Sequence, residues 1–114
     1  MSNFPMPGTP VRGSKTGVPI MALLDLFGRP WSLGVLWQLC DQGVATFREL
    51  QARCEGISPT VLNSRLKELK QAGLIETTEN GYCATKTGYE VFDMIKPLKA
   101  WSVKWAKSLD VDSS

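Results

Sequence analysis

The side chains best equipped for chemistry cluster between Ser58 and Gln71. If that stretch is helical and its core stripe is Leu62, Leu66 and Leu69, then Thr60, Asn63, Ser64, Lys67 and Gln71 point away from the core. Asn can pair with adenine, Ser and Thr with either kind of partner, and Lys with guanine or a phosphate. Ser58 would cap the helix, with Pro59 at its first position, and the helix N-terminus attracts phosphate. Ser58 is thus a cap first and a phosphate contact second. Arg65 lies on the flank of the core stripe, where a phosphate contact and a structural ion pair, for instance with Glu49, are equally open. Thr46 and Arg48 begin a shorter helix just upstream and are two further candidates for phosphate. This inventory suits the reading of base edges. A solvated polar face is the plain alternative, and the elements that position the helix must decide between them.

Catalytic and metal chemistry are poorly provided for. The chain has no histidine, so the commonest general base and the commonest metal ligand are missing. No paired carboxylates or cofactor fingerprint stand out, so neither an enzyme, a cofactor nor a metal site is expected. Cys40, Cys54 and Cys83 are odd in number and widely spaced, which fits a reducing cytoplasm rather than a disulfide framework. Cys40 reads as inert core. Cys54, beside Arg53, reads as partly exposed, and Cys83 falls on a strand. A reactive Cys54 or Cys83 would make the chain a thiol sensor. The run Gly8 to Thr16 superficially resembles a phosphate-binding loop, but it has an extra Ser before Lys15 and no strand before it.

The 114 residues are enough for one domain, and 43% hydrophobic with 21% charged residues is ordinary globular composition. No apolar run is long enough to suggest a membrane span, and the N-terminus lacks the pattern of a signal peptide. The net charge is only +2 but it is segregated. Residues 1–17 carry Arg12 and Lys15 without an acid. Residues 58–72 carry Arg65, Lys67 and Lys70 against Glu68, and residues 86–107 carry five lysines against Glu90 and Asp93. One basic segment is the candidate recognition helix, which is a nucleic-acid footprint.

The elements follow from punctuation and period. Residues 1–17, rich in Pro and Gly, read as a flexible basic arm, and residues 108–114 as a disordered tail. Ile20, Leu23, Leu24 and Phe27 mark an amphipathic helix that ends near Gly28. Pro30 should open a second, buried helix that ends at Asp41-Gln42-Gly43. Thr46-Phe47-Arg48-Glu49 reads as a capping box for a short helix. Glu55-Gly56-Ile57 forms a tight turn into the helix of residues 58–72, and Gly73 closes it. Two strand-like runs, Leu74 to Thr78 and Tyr82 to Ala84, flank Asn80-Gly81, a strong hairpin signal. Thr85 caps a last helix with apolar positions Val91, Met94 or Ile95, Leu98, Trp101 and Trp105, in which Pro97 should introduce a kink.

A short helix, a Gly-containing turn and a second capped helix are the helix-turn-helix pattern, and a hairpin directly after it is a wing. The expected fold is mainly α with a small β-hairpin, a winged helix-turn-helix over residues 18–107. Several motifs in order sharpen this. Gly28-Arg29-Pro30-Trp31-Ser32-Leu33, Phe47-Arg48-Glu49-Leu50, the run from Gly56 to Leu69, Gly73-Leu74-Ile75 and Tyr82 to Gly88 resemble the corresponding motifs of the HxlR family of transcription regulators, within the MarR-like superfold.

The resemblance implies a homodimeric, non-enzymatic DNA-binding regulator, commonly a repressor, whose dimer is built from the first and last helices. Ile20, Leu23, Leu24 and Phe27 then divide between core and interface, and Leu98, Trp101 and Trp105 join the interface. Two such recognition helices would read an inverted repeat with half-sites about 34 Å apart. Two departures from the family stand out. The short wing carries Glu76 and Glu79 and no Lys or Arg across residues 73–85, so Lys86 is its nearest cation. No cysteine precedes the first helix, so the sensing cysteine of some family members has no counterpart. The acidic wing leaves open a winged helix used for protein interaction.

Overall fold

A computed structural model describes residues 7–8 and 18–109. The arm and the tail of the sequence reading lie almost entirely outside these residues. The elements are helix α1 (Pro19–Phe27), α2 (Ser32–Gln42), α3 (Phe47–Arg53), α4 (Pro59–Gln71), strands β1 (Ile75–Thr78) and β2 (Gly81–Ala84), and the long helix α5 (Lys86–Ser108). None of the described helices is long and apolar enough to cross a membrane.

The helix starts follow local chemistry. Thr46 and Glu49 form the reciprocal capping box, with the Glu49 N–H donating to Thr46 Oγ1 at 3.1 Å and the Thr46 N–H donating to Glu49 Oε1 at 2.9 Å. The Ser58 hydroxyl accepts from the Val61 N–H, and the Thr85 hydroxyl accepts from the Gly88 N–H. Each satisfies a backbone donor that the first turn of a helix leaves over. The start of α2 differs from expectation. Pro30 stays outside the helix, and Trp31 precedes it with φ of 70°, a left-handed conformation that bulky residues rarely adopt.

Helix α2 lies at the centre and packs on α1, α3, α4, α5 and β2. Its Val35, Leu36 and Leu39 join Leu50 of α3, Ile57 of the turn, Leu62, Leu66 and Leu69 of α4, and Leu74 and Ile75 in one core. Each fully buried leucine contributes about 2 kcal/mol of transfer free energy.

Helix α1 buries Ala22 and Leu26 more deeply than the four apolar positions that mark its pattern. Ala22 and Leu26 are buried, Leu23 and Phe27 half-buried, and Ile20 and Leu24 exposed. Helix α5 likewise buries little of its apolar seam. Phe92 is its one large buried side chain, Val91 and Ile95 are half-buried, and Met94, Leu98, Trp101 and Trp105 are exposed. Pro97 lies inside α5 without ending it.

The hairpin pairs Ile75 with Ala84 through Thr78 with Gly81, so its loop residues are Glu79 and Asn80, one position earlier than the sequence suggested. Gly81 instead carries the positive φ, 125°, and its Cα faces the Ala45 carbonyl so closely that a Cβ would overlap it. That approach permits a further bridge. The Ala45 N–H donates to Tyr82 O at 3.0 Å, and the Tyr82 N–H donates to Ala45 O at 2.7 Å. The wing is thereby fastened to the segment that leads into α3.

Candidate nucleic-acid interface

Helix α4 presents two chemically distinct sides. Leu62, Leu66 and Leu69 are buried against α2, while Thr60, Asn63 and Lys67 are exposed and Ser64 is half-buried. The exposed set begins one residue after the Pro59 that opens the helix. Hydrogen-bonding side chains therefore stand beside N–H groups at the positive end of the helix dipole. Ser58 is exposed but its hydroxyl already serves Val61 as a cap. Across the turn, Arg48 is exposed on the first turn of α3, and Lys86 is exposed at the start of α5. Thr46 is occupied as a cap, and Glu49 is bound to it. The Glu49 carboxyl is held below its usual pKa first by the Thr46 N–H and then by the Thr46 hydroxyl.

Arg65 forms the structural ion pair that was one of its two options, with a different partner. Glu49 is not its counterion. Arg65 Nη1 donates to Glu68 Oε1 at 2.7 Å, and Arg29 Nη1 donates to the other oxygen, Oε2, at 2.8 Å. Arg29 also reaches Asp25 Oδ2 at 3.3 Å. This cluster ties α1 and the loop after it to α4. It holds the Arg65 guanidinium within the fold, so a phosphate contact would have to compete with a short charged hydrogen bond. Arg65 Nε is buried and has no hydrogen-bond partner among the described residues.

Arg53 is a structural residue that sequence reasoning did not single out. Its Nη1 donates to Gly43 O at 2.8 Å and its Nη2 to Val44 O at 3.2 Å, clasping the α2–α3 connection. No periodicity signals such a bond from a side chain to a loop carbonyl.

The thiols are not arranged for reactivity. Cys54 is 3% exposed, against the expectation of partial exposure, because the last turn of α3 faces the core. Burial raises its pKa, and Arg53 only partly offsets this. Cys40 is pushed up to about 11 by burial and by Asp93. Cys83 is half-buried, and its pKa is raised by desolvation and by Glu76 across the hairpin. A raised pKa leaves little of the nucleophilic thiolate at neutral pH. Among the described residues no group of three or more Cys, Asp or Glu could hold a metal ion.

The family model described as HxlR-like helix-turn-helix matches residues 26–110, from the end of α1 to just past α5. The chain belongs to the HxlR family. An HTH-type transcriptional regulator of Methanocaldococcus jannaschii is 26% identical over 92 residues, which span 77% of this chain and 86% of that protein. Among solved structures, quinone-bound YodB from B. subtilis superposes with a TM-score of 0.70 at 27% identity, covering 75% of this chain and 96% of that one. A possible HxlR family transcriptional factor from Thermoplasma volcanium gives 0.62 at 26% identity, covering 77% of this chain and 81% of that one.

As an HxlR protein the chain is a helix-turn-helix transcription regulator and not an enzyme, and DNA binding comes with the family. Helices α3 and α4 are its helix-turn-helix, and the β1–β2 hairpin is its wing. The wing tip is acidic, with Glu76 and Glu79 both exposed.

Proposed function

We propose that this HxlR protein is a homodimeric, sequence-specific repressor of the cytoplasm that places α4 of each protomer in successive major grooves of an inverted-repeat operator. The observation that carries the reading is the exposed face of α4. Thr60, Asn63 and Lys67 are presented on a helix about 20 Å long whose opposite face is locked into the core. Asn63 and Lys67, with Thr60 and Ser64, read bases. Arg48, Lys86 and the N-terminal end of α4 near Ser58 and Thr46 approach phosphates. Arg65 supports the helix through Glu68. Residues 18–107 then serve both DNA binding and dimerisation, flanked by the basic arm of residues 1–17.

Dimerisation is supported by the apolar surface left on α1 and α5. Ile20, Leu24, Leu98, Trp101 and Trp105 are all exposed, and the two indoles stack at 6.3 Å with 10° between their planes. Such a concentration of aromatic and aliphatic surface on a small domain marks an interaction site. Leu23 and Phe27 join its edge. The quinone-bound YodB likeness raises a thiol-sensing role, but all three thiols here have raised pKa values, which weighs against it.

The test is binding to the fragment upstream of the protein's own gene, and to sites recovered by genome-wide selection, over a salt series. A specific complex that weakens steeply with salt and is lost in Asn63→Ala/Lys67→Ala is expected. Arg48→Ala, as a phosphate contact, should lower the salt slope by about 1. Failure of both DNA sources to give a specific complex would favour a protein-interaction winged helix instead. Sedimentation should give a dimer that Leu98→Glu/Trp101→Glu dissociates.

A further inference from the structure

A groove of about 460 Å³ runs between α2 and α5, outside the helix-turn-helix. Its floor is aromatic. Trp37 and Phe92 meet edge to face, with centroids 4.9 Å apart and planes at 78°. Its rim is cationic. Lys96 Nζ stands 5.5 Å from the Phe92 centroid, and Lys99 Nζ stands 5.8 Å from that of Trp37. Neither lysine has an ion-pair partner among the described residues. A ring face is a weaker counterpart for an ammonium than a carboxylate would be. The groove also has polarity. Cys40 Sγ contacts Gly88 O while Trp37 meets Phe92, so the two helices run in opposite senses. Asp41 therefore lies towards the start of α5, and Lys99 and Val103 lie towards the other end.

The groove is separate from the apolar face assigned to dimerisation. Lys96, Lys99 and Val103 each precede Leu98, Trp101 and Trp105 by two positions. That places them about 200° apart around α5. A dimer built on the tryptophan face leaves the groove open.

We propose that this groove binds a planar aromatic carboxylate, with its ring against Trp37 and Phe92 and its carboxylate between Lys96 and Lys99. The volume falls in the range of small-molecule sites. An apolar floor with two cations on one rim selects a flat anion over either a neutral aromatic or a small inorganic anion. A hydrogen-bond donor on the far side of the ring would meet Asp41. Helix α2 offers Trp37 to the groove and Val35, Leu36 and Leu39 to the core shared with α4. Occupancy would thus reach α4 through a single helix. That consequence rests on the DNA reading of α4, whereas binding itself does not.

The test is isothermal titration of the full chain with 2-naphthoate, read together with backbone amide NMR and without DNA. A Kd of roughly 0.1–1 mM is expected for a ligand of this size. Shifts should be confined to residues 37–41 and to the groove side of α5, at Phe92, Lys96, Lys99 and Val103. Lys96→Gln/Lys99→Gln, both at exposed positions, should weaken binding roughly tenfold or more while leaving the thermal melt unchanged. The neutral 2-naphthylmethanol should bind at least as poorly. Absence of binding at millimolar naphthoate would overturn the proposal. So would an unchanged Kd in the double variant, or shifts centred on Trp101 and Trp105.

Discussion

Glu68 is expected to be the most sensitive charged position in the fold. Its two carboxylate oxygens accept from two different arginines, at 2.8 Å from Arg29 and 2.7 Å from Arg65, and the three side chains are only 13–17% exposed. Glu68→Gln keeps the shape but removes the charge. One amide oxygen can still accept from one guanidinium, while the amide nitrogen faces the other, donor against donor. Arg29 keeps Asp25, so the two guanidiniums are left with one carboxylate between them and little water around them. Losing a charged hydrogen bond costs about 1.5–3 kcal/mol, and a fully buried unpaired charge costs about 3–5. Partial exposure discounts the second figure, so a loss of about 2–3 kcal/mol is expected. For a domain of this size that lowers Tm by about 8–15 °C. The assay is urea and thermal unfolding at fixed protomer concentration, because a dimer's Tm depends on concentration. Glu76→Gln on the exposed wing strand is the control and should stay within about 0.5 kcal/mol. A cycle of Arg29→Met, Glu68→Met and the double variant should show at least about 1 kcal/mol of coupling. Glu68→Gln behaving like Glu76→Gln, or a coupling near zero, would refute the idea that this cluster secures α4.

Gly88→Ala should cost about 3 kcal/mol or more in denaturant titration, because its Cβ would overlap the backbone carbonyl of Leu74, whereas Gly34→Ala, whose Cβ would meet only the Trp31 ring at 3.9 Å, should stabilise by about 0.5–1 kcal/mol. In native-state iodoacetamide labelling at pH 8, followed by peptide mass spectrometry, Cys83 should react first and Cys40 and Cys54 only on unfolding; rapid labelling of Cys54 would contradict its burial. Glu49 has a lowered native pKa, so its stabilising contribution is present above its ordinary value of 4.5 and is lost as pH falls through the native one. The acid limb of Tm against pH should accordingly be shallower in Glu49→Gln than in the wild type.

The features legible in the chain were those settled over a few neighbouring residues. The Thr46–Glu49 capping box and the caps at Ser58 and Thr85 depend on spacings of three positions, and they stand as read. The leucine stripe of α4 was equally readable, because its 3.6-residue period leaves no rival face in a helix whose one other large apolar residue, Val61, also packs against the core. The outward position of Thr60, Asn63 and Lys67 follows from it.

Tertiary structure decided whatever depended on a distant partner or on a choice between two apolar faces. Helix α1 is apolar nearly all round, so its own sequence does not say that Ala22 and Leu26 turn inward while Ile20 and Leu24 face out. Leu26 joins the core cluster anchored by α2, and that packing selects the face. The inward face of α5 is chosen by Phe92 meeting Trp37, 55 positions earlier in the chain. Glu68 takes Arg29 across 39 positions, while Arg65 pairs with the same Glu68 three positions on rather than with Glu49, whose carboxylate is held by Thr46. A charged side chain in a sequence advertises that it needs a partner, but the partner is named only when the packed helices bring one within hydrogen-bond reach.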